Sequence, residues 1–274
     1  MPFADVSDKA HGIALLILPF VRSLIHGDTP GHLLTKPVQG TGASLIAKAA
    51  MLLKTGTVGE PQNPPTESDE WQKTLLSVLL SAPDFCFFDD CSHLQSPALA
   101  TVLTSGGMYK GRKLSTNDML YVPVRTVWIF AGNNPTMSKD LHRRVIHIRL
   151  DAGVADPSRE RPKPFKHPEL IPWLSEARPR LIAAVFTLAR AWIREGCPEP
   201  STRRLASFEH WSQVVGGILE IAGIPGFLQT PADREMLDET ELARVEFVQC
   251  WTAHRIQYPK EFVRPKASEL LKMS

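Results

Sequence analysis

The chain has 274 residues, of which 43% are hydrophobic and 22% are charged. This length suffices for one large domain or for a core with a smaller second domain, and it excludes a peptide-like or disulfide-stapled scaffold. A net charge of +2 is too balanced to indicate binding to nucleic acid or membrane by itself. The basic excess is local, because residues 101–150 carry eight basic and two acidic side chains.

The cysteines and the apolar segments indicate where the protein works. The cysteines lack close, regular spacing, so we expect reduced thiols in a cytoplasmic protein. They are Cys86, Cys91, Cys197 and Cys250. Residues 13–21 form an apolar run that contains Pro19. Because a membrane span needs about 20 residues, we expect neither a spanning helix nor a signal peptide, and no membrane partner.

The predicted elements alternate between helices and strands over the first 150 residues. Helices are expected at residues 8–26, 43–54, 68–80 and 97–103, and strands at 32–35, 85–88, 125–131 and 145–150. Residues 106–123 suit a hairpin or an extended loop, and residues 139–143 a helical turn. Such alternation is typical of a parallel sheet covered by helices on both faces.

The second half of the chain has a different pattern. Residues 152–168 are rich in proline and charge, which predicts a linker. Helical patterns follow at 170–195, 208–222 and 240–256, with no convincing strand between them. The predicted organisation is a lead-in helix (1–30), an α/β core (31–152), a linker (153–167), a helical domain (168–258) and a tail (259–274).

The segment PVQGTGAS at residues 37–44 leads into a predicted helix. A phosphate-binding loop needs glycines that let backbone N–H groups face the phosphates, a helix N-terminus, a lysine, and a hydroxyl for Mg²⁺. Gly40, Gly42 and Ser44 meet three of these demands, whereas Pro37 and Ala43 stand at the first glycine position and at the lysine position. Taken alone, the segment also fits an ordinary glycine-rich turn that caps a helix.

Polar pairs follow two of the predicted strands. In FCFFDD, Asp89 and Asp90 could hold Mg²⁺ and orient an attacking water, or they could simply begin an exposed turn. In VWIFAGNNP, the Asn133–Asn134 pair could position the water or contact an outer phosphate, and the alternative is a turn before proline. Arg143 and Arg144, just before the last strand, suit charge stabilisation on a neighbouring subunit's nucleotide or a solvated pair.

In this order and spacing, the four elements together resemble the AAA+ ATPase core. The resemblance is closest to the AAA+ or superfamily-3-like ATPase segment of primase-helicase replication proteins of phages, plasmids and other mobile elements. It covers roughly residues 10–230. The segments that carry it are LLILPFVRSLIHGDTPGHLL (15–34), GTGASLIA (40–47), LQSPALATVLTS (94–105), PVRTVWIFAGNNPTMS (123–138), RRVIHIRLDAGV (143–154) and FEHWSQVVGGILEIAGIPGFL (208–228).

This resemblance implies a P-loop NTPase fold, AAA+-like, with a three-layer parallel-sheet core followed by an all-α lid, and it implies ATP and Mg²⁺ as cofactors. It also assigns roles by position. These are ATP binding by Gly40, Thr41, Gly42, Ala43 and Ser44, Mg²⁺ binding by Ser44 and Asp89, catalysis by Asp90, sensing by Asn133 or Asn134, an arginine finger at Arg143 or Arg144, and a further phosphate contact at Arg203 or Arg204.

The implied activity is that of an ATP-dependent DNA helicase or motor. The expected partners are further copies of the chain in a homo-oligomer such as a hexameric ring, single-stranded DNA, and a primase or another replication protein. In such helicases a basic hairpin grips nucleic acid, and the matching positions here are Lys110, Arg112 and Lys113. The alternative is a non-hydrolysing assembly or DNA-binding module, because Ala43 replaces the lysine that neutralises the outer phosphates.

Overall fold

Helices and strands alternate in the structure as the sequence predicts. A computed structural model describes residues 1–38, 40–113, 118–154, 157, 159–160, 166–201 and 204–229. Predicted and observed bounds agree to within two residues for every predicted element in this part of the chain except the first helix. In chain order the elements are α1 (Val6–Val21), a 3-10 turn (Arg22–Leu24), β1 (Gly31–Lys36), α2 (Ala43–Thr55), α3 (Ser68–Ser81), β2 (Phe85–Phe88), β3 (His93–Leu94), α4 (Pro97–Leu103), β4 (Met108–Arg112), β5 (Met119–Pro123), β6 (Val127–Asn133), β7 (Thr136–Met137), α5 (Lys139–His142), β8 (Val145–Arg149), α6 (Leu170–Arg194) and α7 (Glu209–Ile221).

A four-stranded parallel sheet with the order β2-β6-β1-β8 forms the centre of the fold. This confirms the predicted α/β fold with a parallel sheet. From β1 the chain continues to β2, on one side of the sheet, whereas from β6 it continues to β8, on the other side. The connections that leave the neighbouring strands β1 and β6 therefore run in opposite directions. In open α/β sheets, the crevice at the carboxyl ends of the strands beside such a reversal is where ligands bind.

Two apolar clusters lie on the two faces of the sheet. Leu33 of β1 packs with Phe130 in a cluster that includes residues of α3 and α4. The next residue, Leu34, belongs to the other cluster, with residues of α1, α2 and α7. Successive strand side chains point to opposite faces, and both faces are apolar here, as expected for a parallel sheet covered on both sides. The described residues therefore form three layers.

The helical segment after the predicted linker packs on the α1 and α2 side. Trp211 and Val214 of α7 are fully buried in the same cluster as α1. From α6, Arg178 donates hydrogen bonds to the carbonyl oxygens of Leu52, Leu53 and Lys54, at 2.9–3.1 Å. These carbonyls lie in the last turn of α2, where few backbone donors remain, and that of Leu52 also accepts from the N–H of the capping Gly56 at 2.9 Å.

All described residues belong to one compact unit. The predicted boundaries at residues 152 and 168 stay predictions. Parts of the predicted linker, and the predicted helix over 240–256 with the tail, lie outside the described residues.

The first helix is shorter than predicted. It contains the apolar run and Pro19, and it ends at Val21 rather than at residue 26. Arg22 explains this, because its guanidinium donates hydrogen bonds to the carbonyl oxygens of Ile25 and Gly27, both at 2.9 Å, and so holds a bend in place of another helical turn. Across the described part of the chain, no helix has both the length and the apolar character needed to cross a membrane.

Candidate phosphate and metal site

Three of the predicted site segments meet at the carboxyl edge of the sheet. The glycine-rich loop follows β1, Asp89 and Asp90 follow β2, and Asn133 ends β6. Because these strands are parallel and β6 lies between β2 and β1, their carboxyl ends share one edge. The structure therefore brings the loop, the acid pair and the amide pair together, beside the reversal of the connections.

The glycine-rich loop ends as the N-terminus of α2. Gly40 and Gly42 have φ angles of 81° and 100°, which side chains with a Cβ rarely adopt. Gly42 caps the helix, and its carbonyl oxygen accepts hydrogen bonds from the N–H groups of Leu45 and Ile46, both at 3.1 Å. The N–H groups of the first helical turn have no acceptor within the helix and favour an anion. Gln39 lies outside the described residues.

A short hydrogen bond links this helix to the neighbouring acid pair. The Ser44 hydroxyl donates to Oδ2 of Asp89 at 2.6 Å. The other carboxylate oxygen, Oδ1, accepts from the backbone N–H of Asp90 at 2.9 Å. Both Ser44 and Asp89 are half-buried. A hydroxyl and a carboxylate are the hard oxygen ligands that Mg²⁺ takes, together with water and phosphate oxygens.

The turn that carries the acid pair is held tightly. Asp90 is exposed and has a φ of 54°, a left-handed conformation that aspartate tolerates better than most residues. Next to it, the Cys91 N–H donates to the carbonyl oxygen of Ala131 at 2.9 Å. A Cβ atom at Gly132 would lie 2.1 Å from the carbonyl oxygen of Cys91. Gly132 is thus required for the close approach of β6 to this turn.

The two asparagines are placed differently. In the amide orientation that satisfies its hydrogen bonds, Asn133 donates to the carbonyl oxygens of Lys36 and Pro37, at 2.6 and 2.9 Å. Asn133 therefore ties the end of β6 to the start of the glycine-rich loop. Asn134 is exposed, with a φ of 45°. The difference favours Asn133 as a positioning residue for the loop and leaves the Asn134 side chain open to solvent.

Ala43 is the first residue of α2, and it is 1% exposed. It belongs to the apolar cluster beneath the loop, with Ile46 and Ala47. The position that would carry a lysine in the resembled loop thus contributes to the core instead. Thr41 is also buried, and its hydroxyl donates to the Val38 carbonyl oxygen at 3.2 Å.

The arginine pair lies at the opposite edge of the sheet. The carbonyl oxygen of Arg144 accepts a hydrogen bond from the N–H of Gly31, the first residue of β1. The glycine-rich loop follows the other end of that strand, about 17 Å away at roughly 3.3 Å per residue. Arg143 and Arg144 therefore do not lie with the glycine-rich loop of their own chain. Arg204 lines a cavity beside them, and Arg203 lies outside the described residues.

The predicted hairpin is present as β4 and β5. The strands are antiparallel, with Lys110 opposite Tyr121 and Arg112 opposite Met119. Lys110, Arg112 and Lys113 are exposed. The Lys110 ammonium lies 5.6 Å from the centre of the Tyr121 ring, and Tyr121 is 65% exposed. Residues 114–117 lie outside the described residues.

An acidic side chain anchors the root of this hairpin. Asp28 accepts hydrogen bonds from the N–H groups of Gly106 and Gly107, at 2.7 and 2.8 Å. The inner face of the hairpin, with Tyr109 and Val122, packs in the cluster that includes α3. The outer face, which carries the basic residues, is left open to solvent.

Sequence reasoning missed three features of these sites. Tyr121 follows the alternating pattern of the hairpin, and that alternation could have placed it beside Lys110 on the outer face. The packing requirement at Gly132 has no signal in the sequence. The approach of Arg204 to the arginine pair also has none, because these residues are about 60 positions apart and meet only through packing.

Comparisons with known proteins do not add to this geometry. No protein-family model matches the chain. A search of curated proteins finds no significant match either.

Proposed function

We propose that the chain is an AAA+-like, Mg²⁺-dependent nucleotide-binding module of a mobile-element DNA replication protein. The observation that carries the proposal is the 2.6 Å hydrogen bond between Ser44 and Asp89. It joins the helix that follows the glycine-rich loop to the acid at the end of a neighbouring strand, at the edge of the sheet where ligands bind. The resemblance described above supplies the replication context.

The residues at this edge divide the work of holding a nucleotide. The N–H groups of the loop and the first turn of α2 bind the phosphates. Ser44 and Asp89 hold Mg²⁺, which, when bound, offsets the negative charge on the phosphates. Asp90 orients the attacking water, and Asn133 keeps the loop in position through the carbonyl oxygens of Lys36 and Pro37.

The arginine pair acts on a second copy of the chain. Because Arg143 and Arg144 lie at the far edge of their own sheet, they can contact only a nucleotide bound by a neighbouring copy. The side chain of Arg143 is 73% exposed, whereas that of Arg144 is 23% exposed. We therefore assign the intermolecular contact to Arg143, in a homo-oligomer whose site lies between subunits.

The hairpin supplies a surface for single-stranded DNA. Lys110 and Arg112 alternate with Met108, Met119 and Tyr121 on its exposed side. Proteins that bind single strands combine basic side chains along the backbone with aromatic rings on which bases stack. The outer face of the hairpin has both kinds of group.

A second function is favoured by one observation. Ala43 is buried in the core, and a phosphate-binding loop without its lysine holds the outer phosphates weakly. A chain of this kind can bind nucleotide or DNA and assemble without turnover. This alternative shares the fold and the hairpin surface, and it differs only in the rate of hydrolysis.

Calorimetry with ATP and a non-hydrolysable analogue, with and without Mg²⁺, tests the proposal. We expect Mg²⁺-dependent binding that Ser44→Ala and Asp89→Asn each abolish or weaken at least about tenfold, since each removes a metal ligand. The matched controls are Ser175→Ala, at an exposed position in the second turn of α6, and Asp84→Asn, just before the other end of β2. Both variants should bind ATP as the unmodified chain does.

ATP hydrolysis, measured in the presence of single-stranded DNA, distinguishes an ATP-dependent motor from a non-hydrolysing module. If the unmodified chain hydrolyses ATP and Asp90→Asn does not, the chain is an ATPase. Binding without hydrolysis establishes the non-hydrolysing module. The absence of binding at millimolar ATP would overturn the nucleotide-binding proposal in both forms.

A further inference from the structure

A basic cavity opens at the amino end of β8, at the opposite edge of the sheet from the glycine-rich loop. Its volume is about 280 Å³. One wall comes from the segment that includes α5 and the start of β8, and the other from the loop before α7 and from Leu228. Its charged and ionisable lining residues are His142, Arg143, Arg144, His147 and Arg204.

The guanidinium of Arg144 is held in place. Its Nε donates to the Thr104 hydroxyl at 3.2 Å, and its Nη1 donates to the carbonyl oxygen of Asp140 at 2.6 Å and lies 3.3 Å from Oδ1 of the same residue. These bonds leave the donors of Nη2 unused by the described residues. An arginine already fixed in one geometry binds an anion at a smaller entropic cost than a mobile one.

Two more guanidinium groups line the same cavity. Arg143 pairs with Asp140 through Nη2, at 2.8 Å, and Arg204 pairs with Glu199 through Nη2. Each arginine has further donors on Nε and Nη1. The two acids are exposed and do not line the cavity. Among the described residues, the ionisable groups of the lining are therefore all basic.

An unsatisfied ring nitrogen at the wall is a separate observation. His147 lines the cavity and is 4% exposed, yet its Nε2 is buried with no hydrogen-bond partner among the described residues. Its ring centre lies 5.0 Å from that of His142. Buried polar atoms are nearly always paired in folded proteins. Unlike the unpaired ring nitrogens of His32, that of His147 belongs to a residue that lines a cavity, where a bound ligand can supply the missing partner.

We propose that this cavity binds the phosphate group of a compact phosphorylated molecule, within a single copy of the chain. Arg144 and Arg204 hold the phosphate from opposite walls, and Arg143 closes the solvent side. Guanidinium groups match phosphate oxygens in a paired, planar geometry. The small volume and the apolar contribution of Leu205 and Leu228 limit the ligand to a compact molecule. This site does not depend on nucleotide binding at the glycine-rich loop. It shares Arg143 with the contact assigned to a neighbouring copy, so Arg143 serves one of these two ligands at a time.

Titration with inorganic phosphate and pyrophosphate, without Mg²⁺, tests the site. The readout is the NMR signals of histidine side chains in selectively labelled protein, with those of His142 and His147 assigned by substitution. We expect saturable shifts at these two histidines. Arg204→Gln and Arg143→Gln should each weaken binding about tenfold, as expected for the loss of a charge-assisted hydrogen bond. Arg190→Gln, on the exposed side of α6, is the matched control and should change nothing.

Three outcomes would overturn the proposal. The first is equal affinity in the arginine variants and in the control. The second is loss of the shifts in Gly42→Val, which disrupts the glycine-rich loop through its φ of 100° and would show that the phosphate binds there. The third is a response that grows with protein concentration, which would assign the phosphate to an interface between copies. Circular dichroism of each variant confirms that it is folded.

Discussion

The two edges of the central sheet differ in how their charged groups are arranged. At the carboxyl edge, Ser44 and Asp89 bond to each other, and Asn133 bonds to the start of the glycine-rich loop. At the amino edge, one cavity is lined by Arg143, Arg144 and Arg204, and each of these has N–H groups that make no hydrogen bond to the described residues.

The contrast shows how one sheet can serve two kinds of ligand. The carboxyl edge offers oxygen ligands and backbone N–H groups, which suit a cation with its phosphates. The amino edge offers guanidinium groups, which suit an anion without a metal. Left-handed backbone angles occur at both edges, at Gly40, Gly42, Asp90 and Asn134 of the carboxyl edge and at Ser207 and Leu228 in the lining of the amino-edge cavity. Such conformations are common at functional sites.

The largest expected effect is a loss of stability in acid. Burial lowers the pKa of His32 and of His147 to about 3, from an ordinary value of 6.5. Below pH 6.5 the unfolded chain binds protons that the folded chain does not, so the free energy of unfolding falls as the pH falls toward 3. Between pH 7 and pH 5 the loss is roughly 2 kcal/mol for each histidine, measurable by urea denaturation.

Single substitutions divide this acid effect between the two positions. His32→Phe and His147→Phe should each remove about half of the difference between pH 7 and pH 5. If both variants keep the full pH dependence, these histidines are not its source. The result bears on the comparison of the two edges, because a neutral His147 adds no positive charge to the amino-edge cavity at pH 7.

Gly132→Ala should distort the carboxyl edge of the sheet and leave the amino edge unchanged. The new Cβ would lie 2.1 Å from the Cys91 carbonyl oxygen, which forces the turn with Asp89 and Asp90 away from β6. We expect a loss of about 3 kcal/mol in the free energy of unfolding. Mg²⁺-dependent nucleotide binding should also be lost, by calorimetry, while phosphate binding at the amino edge persists.

A matched glycine separates this clash from simple backbone strain. Gly153 has a φ of 66° and nothing within 4 Å of an added Cβ. Gly153→Ala should therefore cost only about 1 kcal/mol and leave both ligands bound. Equal losses in the two variants would contradict the packing explanation for Gly132.

The smallest expected effect concerns the hairpin, whose root lies near the amino edge. Tyr121→Ala should lower the affinity for a short single-stranded DNA about tenfold, through lost base stacking. Lys110→Gln should reduce the slope of log affinity against log salt by about one unit. Fluorescence anisotropy measures both. Phe186→Ala, at a similarly exposed ring on α6, is the control; a loss equal to that of Tyr121→Ala would argue against the hairpin surface.

Much of the fold follows from local pattern. The continuous apolar run of β2 and the apolar run of β6 predict buried strands, and the helical pattern at 97–103 predicts α4. The structure adds the cap of α4, where the Ser96 hydroxyl accepts from the Leu99 N–H at 3.1 Å. The end of α1 was predicted wrongly, because it depends on the Arg22 guanidinium and the carbonyl oxygens of Ile25 and Gly27. Local propensity does not include such a contact.

The same division holds for the sites. Sequence alone indicated the glycine-rich loop, the acid pair, the amide pair and the arginine pair as candidates, because such residues at the ends of apolar strands suit a phosphate and metal site, and each of them also has an ordinary structural use. The strand order then decided which of them meet. Because β6 lies between β2 and β1, the glycine-rich loop, the acid pair and the amide pair come together, while the arginine pair lies at the opposite edge of the sheet. Only the tertiary structure could join Arg204 to Arg144, or require Gly132 beside Cys91, since such contacts depend on packing between distant segments.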